Sequence, residues 1–135
     1  MAYLTRSGRQ RGKRLEGFTL IELLVVMAIV ATLLMIVVPR YVQQVDKAQE
    51  AVLRENLAQL RQALDFYMAD HDRYPESLEV LVELRYLRQL PVDPLTRRSD
   101  TWERVVKDDG GTSRIVDVLS GATGKALDGT EYRSW

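Results

Sequence analysis

The stretch 18–38 reads FTLIELLVVMAIVATLLMIVV, and apart from Glu22 it carries no charged side chain. Wound as a helix rising 1.5 Å per residue, about 21 such residues reach roughly 31 Å, the thickness of a bilayer's hydrocarbon core. Whatever else this chain folds into must therefore be attached to a helix that water solvates poorly. Arg6, Arg9, Arg11, Lys13 and Arg14 lie just before the run. Basic residues on a short tail are retained on the cytoplasmic side, so the reading is a single pass with the N-terminus inside and everything beyond Pro39 outside. A cleavable secretory signal has an apolar core of only about 7 to 15 residues followed by a small-residue cleavage site. This run is longer and ends in Val-Val-Pro-Arg.

Glu22 is the one residue out of place. A carboxylate costs about 2.5 to 3.5 kcal/mol toward the bilayer centre, somewhat less near the interface, and it needs a partner. No Lys, Arg or His occurs within 18–38 to supply one. Pro39, at the end of the run, removes one helical hydrogen bond and bends or loosens the turn before it.

A basic leader ending in Gly17, then Phe18-Thr19-Leu20-Ile21-Glu22 and an unbroken apolar helix, resembles the processing signal of type IV pilins and type II secretion pseudopilins. The resemblance implies cleavage by prepilin peptidase between Gly17 and Phe18 and N-methylation of the new Phe18 amine. The hydrophobic helix stays attached, so the anchor becomes the assembly element. It also offers Glu22 a partner, the freed Phe18 amine of a neighbouring subunit, in a bundle packed by Leu, Val, Ile and Met. For Pro39 the resemblance implies a stretch that is extended or melted in filaments, and a simple kink at the membrane boundary stays open beside it.

Beyond Pro39, Val45, Ala48, Val52, Leu57, Leu60, Leu64 and Tyr67 recur at spacings mostly of three and four, one face of a continuing helix expected to run to about residue 73. Asp46, Lys47, Glu50, Arg54, Glu55, Arg61 and Asp65 are assigned to its solvated face. Tyr74-Pro75 stops the helix and a short one follows over 76–85. Leu90-Pro91-Val92-Asp93-Pro94 reads as a loop. Two β-prone runs, Trp102 to Lys107 and Ser113 to Leu119, flank Asp108-Asp109-Gly110-Gly111 and predict a hairpin within 102–119. Residues 120–135 are expected as a loop. The fold class is thus α+β and pilin-like: a leader over 1–17, a membrane and assembly helix over 18–38, and a periplasmic domain over 39–135 with a small antiparallel sheet. Arg73-Tyr74-Pro75-Glu76-Ser77-Leu78, Leu90-Pro91-Val92-Asp93-Pro94 and a Gly-rich end with Trp135 extend the resemblance to the major pseudopilins of type II secretion.

Composition narrows the functions. The 135 residues hold 19 basic and 19 acidic side chains. Taking away 1–17, with five of the former and Glu16, leaves 14 and 18, a net charge of roughly −4 that disfavours a nucleic-acid partner. There is no cysteine, hence no disulfide, thiolate metal site or thiol nucleophile. His71, the single histidine, reads as a solvated residue at a helix end, and Gly121-Ala122-Thr123-Gly124 lacks the GK[ST] of a phosphate loop.

Major pseudopilins often bind calcium in this last loop, so the resemblance implies a site built from Asp117, the Leu119 carbonyl, Ser120, Asp128 and Thr130, since calcium takes several oxygen ligands. The loop departs from the family's pattern in being short of acids and in carrying Lys125. The alternative is an Asx turn at Asp128-Gly129.

Together these readings describe a non-enzymatic structural subunit of a type II secretion pseudopilus at the bacterial inner membrane. Its expected partners are further copies of itself in a helical polymer, other pseudopilins, prepilin peptidase, an inner-membrane assembly platform and, before assembly, lipid. A type IV pilin, a minor pseudopilin and a monomeric membrane-anchored binding module are the alternatives.

Overall fold

The computed structural model describes residues 16–135, so the basic cluster from Arg6 to Arg14 lies outside the described residues. The chain divides into a first unit ending at Pro39 and a second from Arg40 to Trp135. The secondary structure is α+β, in the order α1 (Leu20–His71), α2 (Leu78–Glu83), β1 (Glu103–Asp109), β2 (Thr112–Leu119) and a 3-10 turn at Tyr132–Ser134. It is the pilin-like class the sequence predicts.

Thr19 starts α1. Its Oγ1 accepts a hydrogen bond from the Glu22 amide at 3.2 Å, so one of the four orphan amides of the first turn is satisfied. Pro39 sits inside the helix, whose end at His71 falls two residues short of the expected boundary. Residues 20–38 are all exposed, and this is the one helix among the described residues long and apolar enough to cross a membrane.

In the second unit, α1 buries Leu53, Leu57, Leu60, Ala63, Leu64 and Tyr67. These pack with Leu78 and Leu81 of α2, Trp102, and Ile115 and Val118 of β2. Each fully buried leucine contributes about 1.5 to 3 kcal/mol relative to an exposed one. Val45, Ala48 and Val52 are exposed, contrary to the predicted stripe, and Glu50 from the predicted wet face is buried. The core begins later along α1 than the spacing suggests because the sheet, α2 and their loops cover only that part.

α2 is shorter than the predicted 76–85. It closes in a Schellman arrangement, with the Tyr86 amide bonded to the Leu81 carbonyl at 2.8 Å, the Arg85 amide to Val82 at 3.1 Å, and Arg85 at φ 65°. The hairpin turns on Gly110 and Gly111, both at positive φ (65° and 86°), the backbone that a tight two-residue turn needs. The register pairs Val105 with Asp117 and Val106 with Ile115, leaving Val116 as a bulge. That extra residue puts Ile115 and Val118, three apart, on the same buried face. β1 is exposed throughout, so β2 alone carries the sheet's share of the core.

Residues 120–135 are more ordered in kind than a plain loop. Lys125 and Glu131 form an antiparallel bridge, and Ala122 and Ala126 are buried. At Gly121 a Cβ would lie 1.8 Å from the Thr101 carbonyl oxygen, so only glycine lets these segments approach.

Candidate functional site

Two groups of residues carry the chemistry that the sequence proposes. The first is the start of the apolar segment. Residues 16–19 are non-helical and exposed, and nothing lies within 4 Å of a Cβ built on Gly17. The Gly17–Phe18 peptide bond lies in this exposed stretch, and Phe18 itself is 87% exposed. Glu22 lies in the first turn of α1, where the positive end of the helix dipole favours a carboxylate. Thr19-Leu20-Ile21-Glu22 has the T-x-x-E spacing of a capping box, and the Thr19 hydroxyl makes its half of it to the Glu22 amide, a role for Thr19 that the spacing announces and amphipathic reading overlooks. From Phe18 to Val42 large apolar side chains stand exposed, among them Ile21, Leu24, Met27, Leu34 and Met35. Water solvates such a surface poorly.

The second group is the set of oxygens nominated for calcium. Asp117 Oδ1 accepts from Arg61 Nε at 2.9 Å and from the Val118 amide at 2.8 Å, while Arg61 also donates to the Val118 carbonyl at 3.0 Å. Leu119 is the last residue of β2, half-buried opposite Glu103. Ser120, fully buried, turns its hydroxyl to Asp93 Oδ2 at 3.0 Å. Asp128 Oδ1 takes the Thr130 amide at 2.9 Å and the Thr130 hydroxyl at 2.6 Å, the Asx turn that Asp-Gly favours. Its Oδ2 lies 3.4 Å from Arg54. The Thr130 hydroxyl and amide hold the Asp128 carboxyl below the usual carboxylate range, with Arg54 assisting. Hard cations want several oxygens with free lone pairs converging on one point. Here both acids already face a guanidinium, and among the described residues no three acids or histidines group as a metal cluster. As placed, these residues do not fit the cation.

What binds the loop instead was not legible beforehand. Glu50 Oε1 accepts from the Leu127 amide at 2.8 Å and the Tyr132 hydroxyl at 3.0 Å. Burial, and then the bond to Glu50, push the Tyr132 phenol up to about 12. One turn along α1, the Arg54 guanidinium lies 4.2 Å over the Trp135 ring. Trp135 Nε1 donates to Thr130 Oγ1 at 2.7 Å, and its ring meets Tyr132 edge-on at 5.3 Å. The only available signal was Glu50 and Arg54 at i and i+4 opposite a terminal aromatic pair, which amphipathic spacing assigns to solvent.

His71 stacks on Tyr67 at 4.2 Å between ring centroids, with Nδ1 3.1 Å from the Tyr67 carbonyl. It is an end-of-helix residue.

Comparison with known proteins covers both units. Residues 13–38 match the model of the prokaryotic N-terminal methylation motif, and residues 40–131 match that of type II secretion system (T2SS), protein G. The chain is 31% identical over 139 residues to the type II secretion system core protein G of Vibrio cholerae serotype O1, covering 91% of this chain and 93% of that one. It is 37% identical over 101 residues to the protein of the same name from Pectobacterium carotovorum, covering 63% of this chain and 65% of that one, just under two thirds. With the Pseudomonas aeruginosa protein of that name the identity is 36% over 95 residues, 58% and 67% of the two chains. No solved structure matches.

Proposed function

This chain belongs to the type II secretion system protein G family, the major pseudopilins, and from that premise we propose that it is a membrane-anchored structural subunit whose N-terminal helix polymerises into a pseudopilus supporting protein export. The observation that carries the reading is the apolar stretch of α1, exposed along its length, with one carboxylate in its first turn.

The order of events follows from the chemistry of that stretch. Prepilin peptidase cuts the exposed Gly17–Phe18 bond on the cytoplasmic face, and the new Phe18 amine is methylated, which keeps it a cation. The helix remains in the inner membrane, with the second unit in the periplasm. Moving side by side out of lipid, helices satisfy each other's apolar surface by packing, and the Glu22 carboxylate meets the Phe18 amine of a neighbour. A buried pair of this kind is costly unless both charges are present, so it fixes register and admits only processed subunits. Other pseudopilins, the assembly platform and a cytoplasmic energy source complete the machine.

Because Glu22 sits in the turn that the Thr19 hydroxyl caps, the test must separate its charge from helix formation. Glu22→Gln keeps a side chain able to serve a capping box and deletes the charge. Cysteines placed on the apolar faces of neighbouring helices should crosslink in the processed parent. In Glu22→Gln, with processing at Gly17–Phe18 verified by mass, crosslinking should drop at least tenfold. Undiminished crosslinking in that variant refutes the pairing, and a processed parent that never crosslinks refutes the polymer.

A further inference from the structure

Glu50 stands where the amphipathic pattern of α1 meets the core, and it is 8% exposed. A carboxylate removed from water must find donors inside the protein. Both donors come from the far end of the chain, Leu127 and Tyr132. Arg54, on the same helix four residues along, takes Asp128 and covers Trp135. The two sets of contacts tie adjacent turns of α1 to residues spread over 127–135. The acids a cation would need are engaged as well, Asp128 by Thr130 and Arg54 and Asp117 by Arg61.

We propose that residues 120–135 of this chain are fastened to α1 by a metal-independent clamp, with Glu50 gripping Leu127 and Tyr132 and Arg54 gripping Asp128 and Trp135, in the place where major pseudopilins often use calcium. The clamp replaces one divalent centre, able to organise many oxygens at once, by dispersed hydrogen bonds, one exposed ion pair and a cation–π contact. The subunit then needs no cation to hold its shape, and its loop does not report on periplasmic calcium. The clamp lies within the single subunit and does not depend on filament assembly.

The test uses the full chain in detergent micelles, with calcium chloride at millimolar concentration against a chelator. The melting temperature and amide hydrogen exchange over 122–135 are expected to be the same in both. A higher melting temperature or slower exchange with calcium overturns the proposal. Glu50→Ala should speed exchange in that segment at least tenfold, since bonds to a charged acceptor are lost. Should Glu50→Ala unfold the whole second unit, Arg54→Ala decides. Arg54 is 61% exposed in its side chain, so its loss spares the core and should speed loop exchange about three- to tenfold. Exchange in Arg54→Ala as slow as in the parent counts against the clamp, and calcium must not restore what the variant loses.

Discussion

Tyr132 shows how one buried contact makes stability depend on pH. Burial comes first, then the hydrogen bond to Glu50, then the charges of Glu50, Asp46 and Asp128, and together they raise its phenol to about 12 from an ordinary 10.0. A group whose folded pKa is raised stabilises the fold fully below its unfolded pKa, and that contribution fades as pH climbs toward the folded value. The melting temperature should therefore hold up to about pH 10 and fall between about 10 and 12. Tyr132→Phe should begin lower at neutral pH, since Glu50 loses a donor, and then fall less steeply across that window. Some alkaline slope should survive in the variant, because Tyr86, bonded to Asp70 at 2.5 Å, is also raised to about 12. Equal slopes for parent and variant, in thermal melts followed by circular dichroism, reject Tyr132 as the linked group. Nothing in the residue order pairs Tyr132 with Glu50, 82 positions apart. Contacts at that separation are made by the fold, and local pattern does not encode them.

At the scale of elements, local signals held where local physics decides the outcome. Gly110-Gly111 supply the left-handed backbone of the turn, and an apolar run long enough to span a bilayer, broken only by Glu22, is helical. Burial is different, because spacing says which residues share a face and not how far a partner reaches along it. Val52 and Leu60 both belong to the predicted stripe, yet Val52 is 49% exposed and Leu60 0%. Leu60→Ala should cost about 2 to 5 kcal/mol, through lost transfer energy and the cavity left behind. In a domain of this size that lowers the melting temperature by roughly 10 °C or more. Val52→Ala should stay within about 0.5 kcal/mol of the parent. Comparable losses for the two would place the core boundary nearer Pro39. The bulge at Val116 was illegible for a related reason. Ser113 to Leu119 alternates poorly for a regular strand, and only pairing with β1 reveals which residue is extra.

For the whole molecule, one helix serves two solvents in sequence. Residues 20–38 are exposed and apolar, the core begins at Glu50 and Leu53, and Pro39 lies inside α1 between them. Proline has no amide hydrogen, so the Met35 carbonyl, four residues back, loses its usual donor, and the ring crowds that turn. A substitution there has two separable consequences. Pro39→Ala adds a helical hydrogen bond in a part of the chain that touches no core residue, so the melting temperature of the second unit should not move. If the loosened turn lets the apolar helix adjust as subunits bundle, the same substitution stiffens it, and crosslinking between engineered cysteines on neighbouring helices should fall several-fold while processing continues. Crosslinking equal to the parent's makes Pro39 a kink and nothing more. A fall in both crosslinking and melting temperature means that the two units share stability across Pro39, and then the division of labour between anchor and folded domain is wrong.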